Sequence, residues 1–310
     1  MRLGIDIGGT KTAAVAIGAD GELSDQVRMP TGFGAEAVFA TAIRTVERMT
    51  ELAGVDASSF TSIGIGIPGA VDSETGRVEH AVNLGLEGLD LGPRLADRLG
   101  VDVRVENDVK AAAVGAHHLL GVAGGTRASS MAYLNLGTGL AAGVVLEGRL
   151  LRGGHGVAGE IGHVPVDPSG VRCGCGQRGC LETIASGLAI ARAWPTNSEH
   201  PARELFDAAE AGDARAVAVR EEFLEGVAAA VRLLVLAVDV DAVVIGGGLA
   251  ALGEPLLFAT RRILNQWAAE SAFLASLDLA TRVQVIPLGF PAAAVGAALV
   301  GEHQWLKSSS

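Results

Sequence analysis

Near its N-terminus the chain reads Leu3-Gly-Ile-Asp-Ile-Gly-Gly-Thr-Lys-Thr-Ala-Ala-Val-Ala-Ile17, a pattern that predicts a strand, a glycine turn and a second strand. The same pattern returns in Tyr133-Leu-Asn-Leu-Gly-Thr-Gly-Leu-Ala-Ala-Gly-Val-Val-Leu146. Asp6 of the first copy falls on Asn135 of the second, an offset of 129 residues that holds along the whole pattern. Two copies of one hairpin indicate a duplicated fold with one lobe for each copy.

The rest of the chain alternates helical and strand patterns. Apolar residues at helical spacing predict helices over residues 35–52, 89–99, 183–194, 202–211 and 213–238. Short apolar runs predict strands over residues 62–67, 101–105, 241–245 and 283–288. This alternation indicates an α/β fold with covered sheets. We expect an N-terminal lobe over residues 1–120, a C-terminal lobe over residues 121–290, and a helix within residues 291–305 that packs back on the N-terminal lobe.

The composition disfavours several classes of protein. Aromatic residues make up 4% of the 310 residues and the net charge is −11, without a dense basic run, so we expect no nucleic-acid partner. The closest approach to a membrane span, residues 226–240, is broken by Arg232 and Asp239, so we expect no membrane partner. The N-terminus does not read as a secretory segment, and we therefore expect a cytoplasmic protein.

All three cysteines lie in one short segment, Cys173-Gly-Cys175-Gly-Gln-Arg-Gly-Cys180. Three thiolates with an imidazole ten residues upstream, at His163, match a tetrahedral Cys3His zinc site. His155 is an alternative fourth ligand, and a disulfide between Cys175 and Cys180 is an alternative to the metal. An odd number of cysteines disfavours a disulfide framework. With four protein ligands, the zinc is expected to be structural and not to activate water.

The glycine turns of the two hairpins are suited to phosphate groups, because glycines let main-chain amides converge on an anion. The first turn adds a hydroxyl and an ammonium group, and consists of Gly8, Gly9, Thr10 and Lys11. It is not a Walker A loop, in which the lysine precedes the hydroxyl residue. The second hairpin repeats such a turn with Gly137, Thr138 and Gly139.

A third glycine cluster follows the strand expected at residues 241–245. Its sequence, Gly246-Gly-Gly-Leu-Ala-Ala251, fits a loose dinucleotide-binding pattern, which leaves a nicotinamide-dependent oxidoreductase as an alternative. No acidic ribose partner in a following βαβ unit supports that alternative. A helix N-terminus that meets the phosphate or adenosine of a nucleotide explains the glycines equally well, so Gly247 and Gly248 are candidate nucleotide contacts.

Five motifs, in this order, resemble the ROK family of repressors, open reading frames and sugar kinases: Asp6-Ile-Gly-Gly-Thr-Lys11, Glu106-Asn-Asp108, Gly137-Thr-Gly139, Glu160-Ile-Gly-His163 and Cys173-x-Cys-Gly-x-x-Gly-Cys180-x-Glu182. The resemblance spans nearly the whole chain. It implies an actin-like (ribonuclease H-like) fold, with two lobes around a nucleotide cleft. Family repressors carry an N-terminal helix-turn-helix extension, whereas this chain starts at the first strand, so we expect a kinase.

The resemblance implies ATP-dependent phosphorylation of a hexose or N-acetylhexosamine at its 6-hydroxyl group, with glucose or N-acetylglucosamine as the expected sugar. Asp108 matches the catalytic base, which accepts the hydroxyl proton as the oxygen attacks the γ-phosphate. Asp6 is implied to hold Mg²⁺, with the two glycine turns around the phosphates of ATP. The implied sugar contacts are Asn83, Asn107, Asp108, Glu160, His163 and Glu182. His163 would then both ligate zinc and contact the sugar.

Other interpretations remain open beside this one. Asp108 alone also fits a helix N-cap, because Val109 and the residues after it favour a helix. A sugar-sensing protein that kept the fold but lost catalysis is the alternative function. The family often has Asn where this chain has Lys110, and we expect that lysine to be solvated. The segment after Cys180 is closer to family members that act on N-acetylated hexosamines, and family members are commonly dimers or tetramers, so a homodimer or homotetramer is expected.

Overall fold

The computed structural model describes residues 1–124 and 129–301, which form an α/β fold. The strands are β1 (Arg2–Ile7), β2 (Lys11–Ile17), β3 (Val27–Pro30), β4 (Ser62–Ile67), β5 (Ala70–Asp72), β6 (Arg77–Ala81), β7 (Leu86–Leu89), β8 (Val103–Asn107), β9 (Ser130–Leu136), β10 (Leu140–Leu146), β11 (Arg149–Leu151), β12 (Ala242–Gly246) and β13 (Val283–Val285). The helices are α1 (Ala35–Ala53), α2 (Leu91–Leu99), α3 (Asp108–Gly124), α4 (Gly187–Ala193), α5 (Pro201–Glu210), α6 (Ala214–Val238), α7 (Glu254–Glu270), α8 (Ala272–Ala275) and α9 (Ala292–Val300). Within the described ranges, every helix is too short or too polar to serve as a membrane span.

Two five-stranded sheets share one topology. Their strand orders are β3-β2-β1-β4-β8 and β11-β10-β9-β12-β13. In the first sheet, β1 pairs antiparallel with β2 and parallel with β4, and β4 pairs parallel with β8. In the second, β12 pairs parallel with both β9 and β13. The repeated order agrees with the duplication predicted from the two hairpins.

The described chain divides into two compact units. The first unit contains residues 1–124, 143–158 and 291–301, and the second contains residues 129–142 and 159–290. The sequence-based boundary at residue 120 stays a prediction. The predicted C-terminal helix is observed as α9, and residues 302–305 of its expected range lie outside the described residues.

The core of the first unit depends on small residues that let helix α9 lie directly on the sheet. A Cβ atom on Gly4 would lie 1.8 Å from the carbonyl oxygen of Ala294, and one on Gly64 would lie 1.7 Å from that of Ala297. Contacts this short are impossible, so a side chain at Gly4 or Gly64 would push the helix away. Leu3, Ile5, Ile63 and Ile65 alternate with these glycines and are buried on the opposite face of the sheet, in a cluster with residues of α1.

Two parts of the fold differ from the sequence-based expectation. The helix predicted over residues 183–194 begins only at Gly187, because the side chain of Ser186 caps it by accepting a hydrogen bond from Ala189 N at 3.1 Å. The small antiparallel sheet β5-β6-β7 was not predicted, since its short strands mix polar and apolar residues. This sheet matters for the site, because the turn between β6 and β7 carries Asn83.

Candidate active site

The glycine turn of the first hairpin is held by contacts with neighbouring segments. Gly8 N donates to Lys11 O at 2.9 Å, and Thr31 Oγ1 donates to Gly8 O at 2.7 Å. A Cβ atom on Gly9 would lie 3.3 Å from Cβ of Asn83, so the turn and that asparagine are neighbours. Thr10 and Lys11 are exposed. The turn therefore presents a hydroxyl and an ammonium group to solvent at a rigid site, as a phosphate contact requires.

Asp6 and Asp108 lie at the same edge of the first sheet. Asp6 lies in β1, and Asp108 directly follows β8; these two strands flank β4, and parallel strands end at one edge. Burial, as the larger cause, and the nearby Asp108 carboxylate together raise the pKa of Asp6 to about 7. A pair of close carboxylates, one of them poorly solvated, has the donor chemistry that a divalent cation neutralises. Asp6 thus fits the Mg²⁺ role that the resemblance implies.

The N-terminus of α3 is capped by Asn107. Its Oδ1 accepts hydrogen bonds from Val109 N and Lys110 N, both at 3.1 Å. Asp108 is the first helical residue, and its Oδ1 accepts from Val109 N at 2.9 Å. The alternative in which Asp108 is the N-cap is therefore wrong, because the preceding asparagine occupies that position.

Lys110 is buried, and the expectation of a solvated lysine is wrong. Its side chain is 5% exposed, and Nζ donates to the carbonyl oxygen of Gly156 at 2.5 Å. Glu106, four residues earlier, is 3% exposed and forms an ion pair of 2.8 Å with Arg152. Two contacts thus hold residues 152–156 against the segment that contains the proposed catalytic base.

In the second unit, the turn of the second hairpin lies beside Glu182. A Cβ atom on Gly139 would lie 3.0 Å from Oε2 of Glu182. The start of α4 donates to this turn: Gly187 N to Gly137 O at 2.8 Å, and Leu188 N to Thr138 O at 3.2 Å. The structure thus brings one predicted sugar contact next to one predicted phosphate turn.

The three cysteines and His163 form one cluster, in which one ligand atom of each residue lies within 4.8 Å of the others. Cys175 Sγ and Cys180 Sγ are 3.6 Å apart, and Cys173 Sγ is 3.7 Å from His163 Nδ1. In a tetrahedral site with Zn–S bonds of about 2.3 Å, neighbouring ligand atoms are about 3.8 Å apart. The cluster is therefore compatible with a structural zinc ion.

The disulfide alternative does not agree with this geometry. All three cysteines are free, and a separation of 3.6 Å between Cys175 and Cys180 is far above the length of a covalent S–S bond, about 2.05 Å. The tight turn that gathers them is closed by hydrogen bonds from Cys173 N to Gln177 O at 2.8 Å and from Gly176 N to Cys173 O at 3.0 Å. Gly176 adopts a φ of 94°, which a residue with a side chain rarely adopts.

The thiols of the cluster differ in their environments. Burial, together with a hydrogen bond to Glu182, raises the pKa of Cys173 to about 12. Hydrogen bonds from Gln177 lower the pKa of the exposed Cys175 to about 6. Cys173 Sγ is 2.9 Å from Oε1 of Glu182, so this carboxylate adjoins the cluster. The predicted sugar contact Glu182 is thereby positioned by the cysteine turn.

The motif Glu160-Ile-Gly-His163 forms a short 3-10 turn over residues 161–163. Glu160 is exposed, and His163 is half-exposed with Nδ1 at 3.7 Å from Oε1 of Glu182. A Cβ atom on Gly162 would lie 2.0 Å from the carbonyl oxygen of Leu140. The glycine thus lets this turn lie directly against β10, which sets the position of His163.

The third glycine cluster borders a cavity in the second unit. Gly247 N donates to the hydroxyl group of Tyr133 at 3.0 Å, and Gly248 begins a 3-10 turn. Helix α7 begins only at Glu254, so the glycines do not form the strand-to-helix turn of a dinucleotide-binding fold. The cavity has a volume of about 360 Å³ and is lined by Gly187, Ile190, Glu199, His200, Pro201, Ala202, Arg203, Gly248, Leu249, Ala251 and Leu252. Residues 199–203 were not predicted to belong to the site, because only the folding of the chain brings them close to the glycines.

Known proteins resemble this chain over most of its length. The sequence model of the ROK family matches residues 2–303. A glucokinase from Halalkalibacterium halodurans is 32% identical over 285 residues, which cover 86% of each protein. An N-acetylmannosamine kinase from Citrobacter koseri is 34% identical over 275 residues, 85% of this chain and 88% of that protein.

A solved structure also resembles this chain over nearly its whole length. The structure of a ROK family glucokinase from Streptomyces griseus in complex with glucose and AMPPNP is 31% identical, with a TM-score of 0.78 and coverage of 97% of this chain and 98% of that chain. This likeness confirms the predicted actin-like (ribonuclease H-like) fold.

Proposed function

The chain belongs to the ROK family, and on this premise we propose that it is an ATP-dependent kinase that phosphorylates the 6-hydroxyl group of a hexose or N-acetylhexosamine. The observation that carries the proposal is the pair Asp6 and Asp108, at one edge of the first sheet. Phosphoryl transfer needs an aligned nucleophile and stabilised charge more than covalent chemistry, and these two carboxylates suit the two tasks.

Asp108 is proposed as the general base. Its carboxylate accepts the proton of the sugar hydroxyl group while that oxygen bonds to the γ-phosphorus of ATP. The bond from the γ-phosphorus to the bridging oxygen breaks, and ADP leaves with the electron pair. The capping hydrogen bonds of Asn107 define where α3 begins, and so determine the position of Asp108.

We propose that Asp6 holds Mg²⁺, which neutralises phosphate charge when bound. The amides of the turns at residues 8–11 and 137–139 are proposed phosphate contacts. Gly247 and Gly248 are proposed contacts of the nucleotide. The cavity beside Gly248 supports an adenosine site there, because its volume and its mixed apolar and polar lining suit a purine base and ribose.

Cys173, Cys175, Cys180 and His163 are proposed to hold a structural zinc ion, which would fix the fold of the cysteine turn. Glu182 contacts Cys173, and Nδ1 of His163 faces the same thiol, which leaves Nε2 of the imidazole for a sugar hydroxyl group. Glu160, His163 and Glu182 are proposed to bind the sugar in this way, and Asn83 and Asn107 are further proposed sugar contacts.

A coupled assay of ADP release over a panel of sugars tests the function. The panel contains glucose, mannose, N-acetylglucosamine and N-acetylmannosamine, each with Mg-ATP. We expect turnover of at least one sugar, and the preferred one distinguishes a glucokinase from an N-acetylhexosamine kinase. Sugar binding by calorimetry without any ADP release would instead identify a sugar-sensing protein.

The expected homodimer or homotetramer and the cytoplasmic location stay predictions. Light scattering coupled to size-exclusion chromatography measures the first, since a single chain has a mass of 31.4 kDa.

A further inference from the structure

Two exposed apolar side chains adjoin the turn that carries Asn83. Phe33 is 74% exposed and Val82 is 81% exposed. Among the described residues of the first unit, no other large apolar side chain is as exposed as these two. Singly scattered apolar residues are common on protein surfaces, but these two lie next to a proposed sugar contact.

Phe33 is held against this turn by its own segment. Gly34 N donates to Leu84 O at 2.8 Å. A Cβ atom on Gly85 would lie 2.5 Å from Cε1 of Phe33, so only glycine leaves room for the ring. Gly85 also has a φ of 66°, a conformation that favours glycine. The ring is therefore fixed on one edge, and most of its surface is open.

The same segment is joined to the phosphate turn. Thr31, two residues before Phe33, donates its hydroxyl group to Gly8 O at 2.7 Å and its amide to Thr10 O at 3.2 Å. Gly9 in turn lies against Asn83. The aromatic ring, the asparagine and the phosphate turn thus belong to one edge of the first unit.

We propose that Phe33, together with Val82, forms the apolar contact for the C–H face of the sugar and is a determinant of sugar affinity. An exposed ring adds little to folding, because stabilisation scales with the apolar area removed from water. A bound pyranose would cover it: an aromatic ring offers a large, rigid contact area at small entropic cost. This inference rests on the proposed function, because the occupant is the sugar substrate.

The kinetics of Phe33 variants of the full chain test this proposal, with the sugar that the wild-type enzyme converts best. For Phe33→Ala we expect KM for the sugar to rise about tenfold, with kcat and KM for ATP changed by less than about twofold. Phe33→Tyr should keep the wild-type KM for the sugar, because it keeps the aromatic ring. Phe33→Leu should raise KM for the sugar. The matched control is Leu52→Ala, an exposed apolar residue about 25 Å further along α1, which should behave as the wild type.

Two results would overturn the proposal. One is an unchanged sugar KM in Phe33→Ala, and the other is a wild-type KM in Phe33→Leu. If the first result comes with a changed oligomeric state of Phe33→Ala, the ring is a subunit contact. A wild-type enzyme that converts no sugar would contradict the proposed function itself, so the two failures are distinguishable. Because Phe33 is exposed, thermal unfolding of the variants should match that of the wild type.

Discussion

Lys110 and Gly156 are joined by a hydrogen bond of 2.5 Å, in which Nζ of the lysine donates to the carbonyl oxygen of the glycine. The chain has three lysines, of which Lys11 and Lys110 lie within the described residues. Lys11 belongs to the proposed phosphate turn, and Lys110 belongs to the segment that contains the proposed catalytic base. The family often has asparagine at the position of Lys110. In this chain the lysine at that position, two residues after Asp108, makes a buried contact.

Lys110→Met tests the energy of this contact. Methionine has a similar length but cannot donate, so the free energy of unfolding should fall by about 1.5 to 3 kcal/mol, the range for a hydrogen bond that involves a charged group. Urea denaturation measures the change. Lys11→Met is the control, because that lysine is exposed and its loss should alter stability by less than about 0.5 kcal/mol. Equal stability of Lys110→Met and the wild type would show that the contact adds nothing.

Asp108→Asn should reduce kcat by about 10²- to 10⁴-fold, the range for loss of a general base. Asparagine keeps the size of the side chain but cannot accept the hydroxyl proton. The coupled ADP-release assay measures kcat, and calorimetry should find sugar binding retained. Residual activity near that of the wild type would refute the assignment of the base.

In the absence of Mg²⁺ and nucleotide, the buried carboxyl group of Asp6 should make the protein less stable at high pH than at low pH. Its pKa in the folded state is about 7, against an ordinary value of 3.8, so the folded state binds more protons between these values. Stability then falls as the pH rises from about 4 to about 7. Asp6→Asn removes this loss and should be more stable than the wild type by about 2 to 4 kcal/mol at pH 8, with little difference at pH 4.

Thermal and urea unfolding over this pH range measure the effect of Asp6→Asn. Asp25→Asn, at an exposed position, is the control and should follow the wild type at every pH. A stability difference between Asp6→Asn and the wild type that does not change with pH would contradict the raised pKa.

Metal analysis should find about one zinc ion per chain in protein purified without added zinc. Cys175→Ser and His163→Ala should each lose the metal and weaken sugar binding, because the cysteine turn positions Glu182. His155→Ala should keep the metal, since His155 is not in the cluster. A metal-free protein with normal sugar affinity would contradict the zinc proposal.

Tyr133→Phe should weaken ATP binding and leave sugar binding unchanged. The hydroxyl group accepts a hydrogen bond from Gly247 N at 3.0 Å, beside the proposed nucleotide site. Without the hydroxyl group, Gly247 N loses the partner that holds it in place, so the energy of one such bond, about 1 kcal/mol, sets the upper limit of the rise in KM for ATP, about fivefold. Steady-state kinetics with each substrate varied in turn measure both KM values. A change in KM for the sugar without a change in KM for ATP would contradict this prediction.

Much of the fold and part of the site could be predicted from local patterns. The glycine turns, the strand ends and the cysteine spacing are features of neighbouring residues, and their chemistry depends little on the rest of the chain. The burial of Lys110 could not be predicted in this way, because its partner Gly156 is 46 residues away. Likewise, the exposure of Phe33 depends on its contact with Gly85, far along the chain.

The sequence by itself determined the duplicated hairpin, the cysteine cluster and the set of motifs that identifies the family, because each depends on residue types at fixed short spacings. Only the tertiary structure decided which side chains share a location: Asp6 beside Asp108, Glu182 beside Cys173, and Phe33 beside the turn of Asn83. The physical reason is that burial, pKa and contact depend on packing between distant segments. Periodicity along the chain does not encode that packing.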